Sequence, residues 1–107
     1  MSLDVSLHAV RRTQVYDANI THNLAGMAKE AGVYLAMWQP DEIGISTAAE
    51  LVEILETGLA KLEAEPERFR AMNPPNGWGS YEGLVQFVRN YLQACRDNPD
   101  AEVEASR

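Results

Sequence analysis

The chain has 107 residues, which is close to the commonest size of one domain and enough to bury a modest core. Sixteen acidic against nine basic residues give a formal net charge of −7, which works against any partner whose affinity comes from neutralised phosphates. Only Arg11 and Arg12 are adjacent basic residues, so no basic stripe exists. We therefore expect a single domain over residues 1–107 that does not bind nucleic acid.

Signals for a membrane or for secretion are also missing. No apolar run approaches the ~20 residues that a membrane span needs, and the first residues lack a charged segment followed by an apolar one. The single cysteine, Cys95, rules out an internal disulfide and is typical of a reducing compartment. We expect a cytoplasmic protein that makes no membrane contact.

Two short strands are predicted, one at each end of the chain. Residues 3–9 alternate between apolar and polar side chains, a period of two that is typical of a half-buried strand. This strand is expected to extend, bend or bulge near Arg11 and Arg12. Residues 101–105 alternate in the same way. Because a lone strand leaves its backbone groups unpaired, the two terminal strands are expected to pair with each other.

A first helix is predicted immediately after the amino-terminal strand. Apolar residues recur at three- and four-residue spacing from Ile20 to Leu35, which is the pattern of one buried helix face. Asn19 or Thr21 can supply the oxygen that caps its first amides. Gly32 lies inside the pattern and weakens the prediction locally.

Two further main helices are predicted, with a short one between them. Thr47 and Glu50 fit a capping box, in which each side chain accepts from the other residue's backbone amide. Pro66 can open the short helix, and Ser80 can cap the last one. The last helix has the strongest apolar stripe, which consists of Leu84, Val85, Phe87, Val88, Tyr91, Leu92 and Cys95. The predicted fold is α+β, with about three main helices packed on a two-stranded sheet formed by the amino- and carboxy-terminal strands.

The first candidate site is the 19–23 block, Asn-Ile-Thr-His-Asn. Histidine is the residue type whose ordinary pKa lies nearest neutrality, and the amides at a helix start favour an anion. Asn19, Thr21, His22 and Asn23 together could hold a phosphate, a carboxylate or a nucleobase edge. The alternative is structural, because Asn and Thr are the residues expected as helix caps.

The second candidate site is the 73–83 loop, which contains two prolines and three glycines and reads Asn-Pro-Pro-Asn-Gly-Trp-Gly-Ser-Tyr-Glu-Gly. Trp78 stands between two glycines, and with Tyr81 it could stack on a flat ligand or anchor a protein partner. The alternative, which the usual burial of tryptophan favours, is that Trp78 folds back as a lid on the helix core. Trp38 is similarly ambiguous, and we expect it in the core.

Three kinds of catalytic or cofactor site find no support in the spacing of residues. Only His8 and His22 are histidines, and no H-x-x-x-H or C-x-x-C pattern exists, so no metal site is predicted. The residues around Ser80 do not match G-x-S-x-G, and no phosphate-loop lysine follows the glycines. Cys95 continues an apolar helix stripe and is expected in the core. We expect no cofactor.

The sequence nevertheless resembles a known family. The blocks N-I-T-H-N (19–23) and N-G-W-G-x-Y (76–81) are similar to those of a family of small bacterial and phage-associated proteins of unknown function, and the resemblance extends from about residue 5 to Arg107. The family supplies neither a substrate nor a catalytic residue. The resemblance implies a stand-alone cytoplasmic domain whose two polar blocks belong to one surface.

These features predict a non-catalytic module that binds a small polar ligand or a protein partner. The candidate binding residues are Asn19, Thr21, His22, Asn23, Trp78, Ser80 and Tyr81. One alternative is a small enzyme that uses His22 as general acid or base with Ser80 or Tyr81 as its partner. Another is a structural homo-oligomer, assembled through apolar helix surface or through the edge of the terminal sheet.

Overall fold

The computed structural model describes residues 1–9 and 13–107 and contains a three-stranded antiparallel sheet that is covered by helices on one face. Strand β1 (Ser2–His8) runs between β2 (Gln14–Thr21) and β3 (Glu102–Ser106). The predicted pairing of the terminal strands is confirmed, because β1 pairs with β3. The predicted two-stranded sheet is wrong, since β2 adds a third strand. The bend predicted at residues 11 and 12 lies outside the described residues.

The sequence pattern does not predict strand β2, because the side of this strand that faces the core carries few strongly apolar residues. Tyr16, Ala18 and Ile20 lie opposite Leu7, Val5 and Leu3 of β1, so they share the helix-covered face of the sheet. Only Ile20 among these three is a fully buried aliphatic residue. Tyrosine and alanine give little period-two signal, and Ile20 also fits the helical spacing that follows it. The helix predicted from Ile20 therefore starts later than expected.

Five α-helices are present in the described part of the chain, and the predicted α+β class is confirmed. They are α1 (Ala25–Ala31), α2 (Tyr34–Trp38), α3 (Ala49–Ala64), α4 (Pro66–Arg70) and α5 (Tyr81–Asp97). Single turns of 3₁₀-helix at His22–Leu24 and Pro40–Ile43 precede α1 and follow α2. The first predicted helix is two helices, because Gly32 adopts a φ of 83° and ends α1. Within residues 1–9 and 13–107 no helix is long and apolar enough to cross a bilayer.

The core lies between the sheet and the two long helices, α3 and α5. Leu3, Val5 and Leu7 of β1 are buried, whereas Asp4 on the opposite face of the sheet is exposed. Every residue of the predicted α5 stripe is buried, so that prediction is confirmed. Burial raises the pKa of Cys95 to about 12. Its thiol is therefore protonated near neutral pH and packs as a small apolar group.

The two predicted helix caps differ in how closely they follow the expected geometry. Ser80 caps α5 as predicted, since its hydroxyl oxygen accepts from the N–H of Gly83 at 3.1 Å. At α3 the Glu50 carboxylate accepts from the Thr47 N–H at 3.0 Å, which is one half of the capping box. The Thr47 hydroxyl donates to the same carboxylate and does not accept from the Glu50 amide. Hydrogen bonds from the Thr47 and Ser46 amides lower the pKa of Glu50.

Two tyrosines on α5 provide a matched test of this core. The Tyr81 hydroxyl donates to the Leu62 carbonyl at 2.7 Å, whereas the buried Tyr91 hydroxyl has no hydrogen-bond partner among the described residues. We expect Tyr81→Phe to lower the free energy of unfolding by about 1 kcal/mol because a buried hydrogen bond is lost. We expect Tyr91→Phe to be neutral or stabilising. Urea unfolding measures both variants, and equal losses would contradict the assignment.

Candidate ligand-binding site

The 19–23 block and the 73–83 loop contact each other in the folded chain. The side-chain amide nitrogen of Asn23 donates to the Trp78 carbonyl at 3.3 Å. A Cβ atom added to Gly79 would lie 2.8 Å from the Thr21 methyl carbon and 3.0 Å from Leu24 Cγ. Such distances are too short for any residue larger than glycine, so the backbone of the loop approaches the end of β2 as closely as it can. Residues 55 positions apart thereby form one surface.

The backbone of Trp78 is fixed from both sides. Its N–H donates to the Asn76 side-chain oxygen at 2.9 Å, and its carbonyl accepts from Asn23. Both neighbouring glycines have positive φ angles, 77° at Gly77 and 106° at Gly79, in the left-handed region that favours glycine. The Tyr81 N–H donates to the Asn73 side-chain oxygen at 2.7 Å and closes the loop onto α5. Asparagine and glycine therefore set the position of the Trp78 backbone.

The Trp78 side chain points into solvent. It is 71% exposed, so the expectation that it covers the helix core is wrong. Trp38, by contrast, is 2% exposed and lies in the core, as predicted. The difference has a local cause, because the backbone at Trp78 is determined by its two glycines and by the contact with Asn23, and this geometry directs the indole outward.

A hollow of about 540 Å³ lies beside the exposed indole. Its lining brings together the start of β1, the end of β2 and the 73–83 loop. The lining residues are Met1, Ser2, Asn19, Thr21, Asn23 and Trp78. Four of the seven candidate binding residues thus share one concave surface.

The polar groups of the hollow are partly engaged with one another. The Asn19 amide nitrogen donates to the Ser2 hydroxyl oxygen at 3.0 Å and to the Asp4 carboxylate at 3.3 Å. The Asn23 amide nitrogen donates to Trp78. The side-chain oxygens of Asn19 and Asn23 accept no hydrogen bond from residues 1–9 or 13–107. The asparagines of the lining therefore keep two side-chain oxygens and one N–H of Asn23 beside the exposed indole.

His22 does not line this hollow. Its ring lies edge-on against Trp38 with the ring centroids 6.1 Å apart, and its Nε2 atom is buried without a hydrogen-bond partner in the described residues. The capping interpretation is confirmed for Thr21, whose hydroxyl oxygen accepts from the Asn23 N–H at 3.3 Å and caps the 3₁₀ turn. The residues of the 19–23 block therefore face in two directions. Asn19, Thr21 and Asn23 line the hollow, and His22 packs toward α2.

Ser80 and Tyr81 are also occupied elsewhere. Ser80 caps α5, and Tyr81 is 6% exposed with its hydroxyl on the Leu62 carbonyl. No hydrogen bond joins His22 to either residue within the described part of the chain. His8 lies at the opposite end of the β1–β2 hairpin, where its Nε2 is 3.2 Å from the Glu104 carboxylate. In the described ranges no three or more His, Cys, Asp or Glu side chains are grouped so as to hold a metal ion.

Sequence reasoning missed three residues of this region: Met1, Ser2 and Asp4. They reach the site through strand register, since Ser2 lies opposite Thr21 and Asp4 lies opposite Asn19. The signal that could have found them is the β1–β2 hairpin itself. Once residues 14–21 are assigned as a strand, antiparallel pairing places the start of β1 beside the 19–23 block.

Comparison with models of protein families, with curated proteins and with solved structures found no match for this chain. The resemblance to small bacterial and phage-associated proteins therefore stays a prediction.

The two glycines that flank Trp78 provide a test of the contact between the 19–23 block and the 73–83 loop. Gly77 and Gly79 both have positive φ, but an added Cβ meets no atom within 4 Å at Gly77 and meets Thr21 and Leu24 at Gly79. We expect Gly77→Ala to lower the free energy of unfolding by about 1–2 kcal/mol through backbone strain. We expect Gly79→Ala to cost at least about 1 kcal/mol more, because the loop must also move away from Thr21.

Urea unfolding of the two variants gives the comparison. Gly77→Ala carries backbone strain without a contact, so the extra loss in Gly79→Ala measures the contact with β2 together with the added strain of its larger φ. Equal losses, or a smaller loss for Gly79→Ala, would mean that the loop does not lie against Thr21.

Proposed function

We propose that this protein is a non-catalytic cytoplasmic binding module whose site is the hollow beside Trp78. The ligand is a small polar molecule, or one side chain of a protein partner, that stacks on the indole and donates hydrogen bonds to the Asn19 and Asn23 oxygens. The sparing use of cysteine, one buried and free residue, supports the cytoplasmic part of this proposal.

The observation that carries the proposal is the exposure of Trp78. Tryptophan contributes a large apolar surface, and burial of such a side chain stabilises a fold by about 1.5–3 kcal/mol. This chain leaves the side chain 71% exposed and fixes its backbone with hydrogen bonds from Asn23 and to Asn76. An exposed aromatic ring on a fixed backbone is well suited to binding, because no backbone freedom of the loop has to be lost when a ligand stacks on the ring.

The shape and chemistry of the hollow agree with this role. Its volume of about 540 Å³ is in the range of small-molecule sites, roughly 300–1,000 Å³. Hydrogen bonds to the amide oxygens of Asn19 and Asn23 orient a ligand that stacking on the indole alone would leave free to rotate. Since both Asn amide nitrogens already donate within the protein, the oxygens are held in place before any ligand arrives.

The two alternatives have less support. A small enzyme would need His22 to reach a partner, but its Nε2 is buried beside Trp38 and both proposed partners, Ser80 and Tyr81, are otherwise bonded. A homo-oligomer would need an apolar contact surface. Leu35, Ile43 and Met72 are each only about two-fifths exposed, against 71% for Trp78.

A thermal-shift screen tests the proposed site. Nucleosides, capped amino acids, guanidinium compounds and sugars are added to the wild type and to Trp78→Ala. A ligand of the hollow should raise the melting temperature of the wild type by about 5 °C at roughly ten times its Kd. Trp78→Ala should fold normally, since the side chain is exposed, and should lose the shift.

Two asparagine variants serve as the matched pair. Asn23→Ala removes an acceptor of the hollow and the hydrogen bond that positions the Trp78 carbonyl, whereas Asn90→Ala removes an exposed asparagine of α5 that does not line the hollow. The shift should be lost in Asn23→Ala and kept in Asn90→Ala. A ligand that stabilises all variants alike, or a screen in which no compound stabilises the wild type, would overturn the proposed function.

A further inference from the structure

The three-stranded sheet has two outer edges, and they differ in how far the rest of the chain covers them. At the β3 edge the Val103 N–H donates outward to the Ser46 carbonyl at 2.9 Å, so another segment already occupies part of this edge. At the β2 edge no hydrogen bond from the described chain outside the sheet reaches the backbone of Asp17 or Asn19. The β2 edge is therefore open.

Strand register shows which backbone groups of β2 face outward. Because the Val103 N–H points away from β1, and backbone groups alternate in direction along a strand, the even-numbered residues of β3 bond β1. Their partners on β1 are even-numbered, so the odd-numbered residues of β1 bond the even-numbered residues of β2. This leaves the N–H and C=O groups of Asp17 and Asn19 directed outward. The Ala9 N–H, which donates to the Thr13 carbonyl at 2.7 Å, has the direction that this assignment requires.

The open edge adjoins the hollow beside Trp78. Asn19 and Thr21 belong to the edge strand, and both line the hollow. Their side chains and that of Asp17 share the face of the sheet that the helices leave uncovered. A strand added beside β2 would place every second side chain on this same face. The side chain opposite Asn19 would therefore lie at the hollow.

The edge of β2 lacks the usual protection against pairing. Edge strands are commonly blunted by proline, by lysine or by a bulge. Strand β2 contains neither proline nor lysine. Its one irregularity, a register shift between Leu7 and His8 of β1, lies at the end of the strand farthest from the hollow. The stretch from Tyr16 to Thr21 is therefore regular and able to pair.

We propose that an extended peptide segment of a protein partner adds to the β2 edge as a fourth strand and places one side chain in the hollow beside Trp78. This inference rests on the proposed function, because it names the class of ligand for the same hollow. The peptide backbone pairs with Asp17 and Asn19, and the side chain opposite Asn19 contacts the indole. Main-chain pairing supplies affinity, and the hollow selects among side chains.

The charge of the edge favours a basic segment. Asp17 is exposed on the uncovered face, and the chain carries a net charge of −7. A lysine or arginine of the peptide opposite Asp17 would form a favourable cross-strand pair. A second copy of this chain fits less well, because pairing of two β2 edges would bring together two chains of net charge −7 and both Asp17 carboxylates.

The probe is the acetylated peptide amide Thr-Val-X-Val-Lys-Val, in which X is tyrosine, leucine, glutamine or arginine. In antiparallel pairing X lies opposite Asn19 and the lysine lies opposite Asp17. We expect at least one member to bind in calorimetry, to protect the Asp17 and Asn19 amide protons from solvent exchange, and to bind more weakly to Trp78→Ala. Failure of every member to bind at about 1 mM would overturn the inference.

Alternate N-methylation of the peptide separates strand addition from other modes of binding. The N–H groups of X and of the lysine face β2, whereas the N–H of the valine between them faces away. N-methylation of X should weaken binding at least about tenfold, because a backbone hydrogen bond is lost. The same change at that valine should alter binding by no more than about twofold. Equal losses from the two modifications would contradict strand addition.

Asp17→Pro and Asp17→Ala are the matched pair on the protein. Proline removes an outward N–H, which an edge strand tolerates, and alanine keeps this N–H. Both variants should fold in urea titrations. Asp17→Pro should lose peptide binding at least about tenfold, and Asp17→Ala should lose only the attraction to the lysine, about threefold. Peptide binding by Asp17→Pro that equals that of the wild type would overturn the inference.

Three outcomes separate this inference from the proposed function. A small ligand that requires Trp78, combined with peptide binding that Asp17→Pro does not change, would overturn strand addition and leave the proposed function in place. Peptide binding at the edge that is unchanged in Trp78→Ala would overturn the placement of a side chain in the hollow. Sedimentation of the wild type as a dimer that Asp17→Pro dissociates would assign the edge to a second copy and overturn the peptide partner.

Discussion

The close approach of Gly79 to Thr21 and Leu24 is the constraint on which the candidate site depends. It places the 73–83 loop so close to the end of β2 that a Cβ atom at this position would force Thr21 or the loop to shift. The Asn23 hydrogen bond to the Trp78 carbonyl then fixes the orientation of the loop. Without this contact the indole would lie apart from Asn19 and the start of β1, which strand pairing holds together.

The energetics of this region differ from those of the core. The fold is stabilised by apolar burial between the sheet, α3 and α5, where the largest side chains are fully buried. The site instead depends on a few hydrogen bonds, each contributing about 0.5–1.5 kcal/mol net. Small terms of this kind can hold a loop in one conformation because the helix α5, capped by Ser80, supplies a rigid base for it.

The sequence predicts the fold best where one interaction determines the outcome. The α5 stripe and the Ser80 cap are correct because helical spacing and a capping hydroxyl act locally. Strand β2 is missed because its helix-facing side offers Tyr16 and Ala18, which give little period-two signal, and because Ile20 fits two patterns. The lid expected at Trp78 is wrong because burial statistics ignore the backbone geometry that Gly77 and Gly79 impose. Residues such as Asp4 join the site only through strand register, which no local pattern contains.

The 19–23 block and the 73–83 loop form one surface, from which Trp78 points into solvent. Nuclear magnetic resonance of the free protein tests it most directly. We expect nuclear Overhauser contacts between the Thr21 methyl group and the Gly79 α-protons. We also expect the indole N–H of Trp78 to exchange fast with solvent and that of Trp38 to exchange slowly. Absent Thr21–Gly79 contacts, or an indole N–H at Trp78 as protected as that of Trp38, would contradict it.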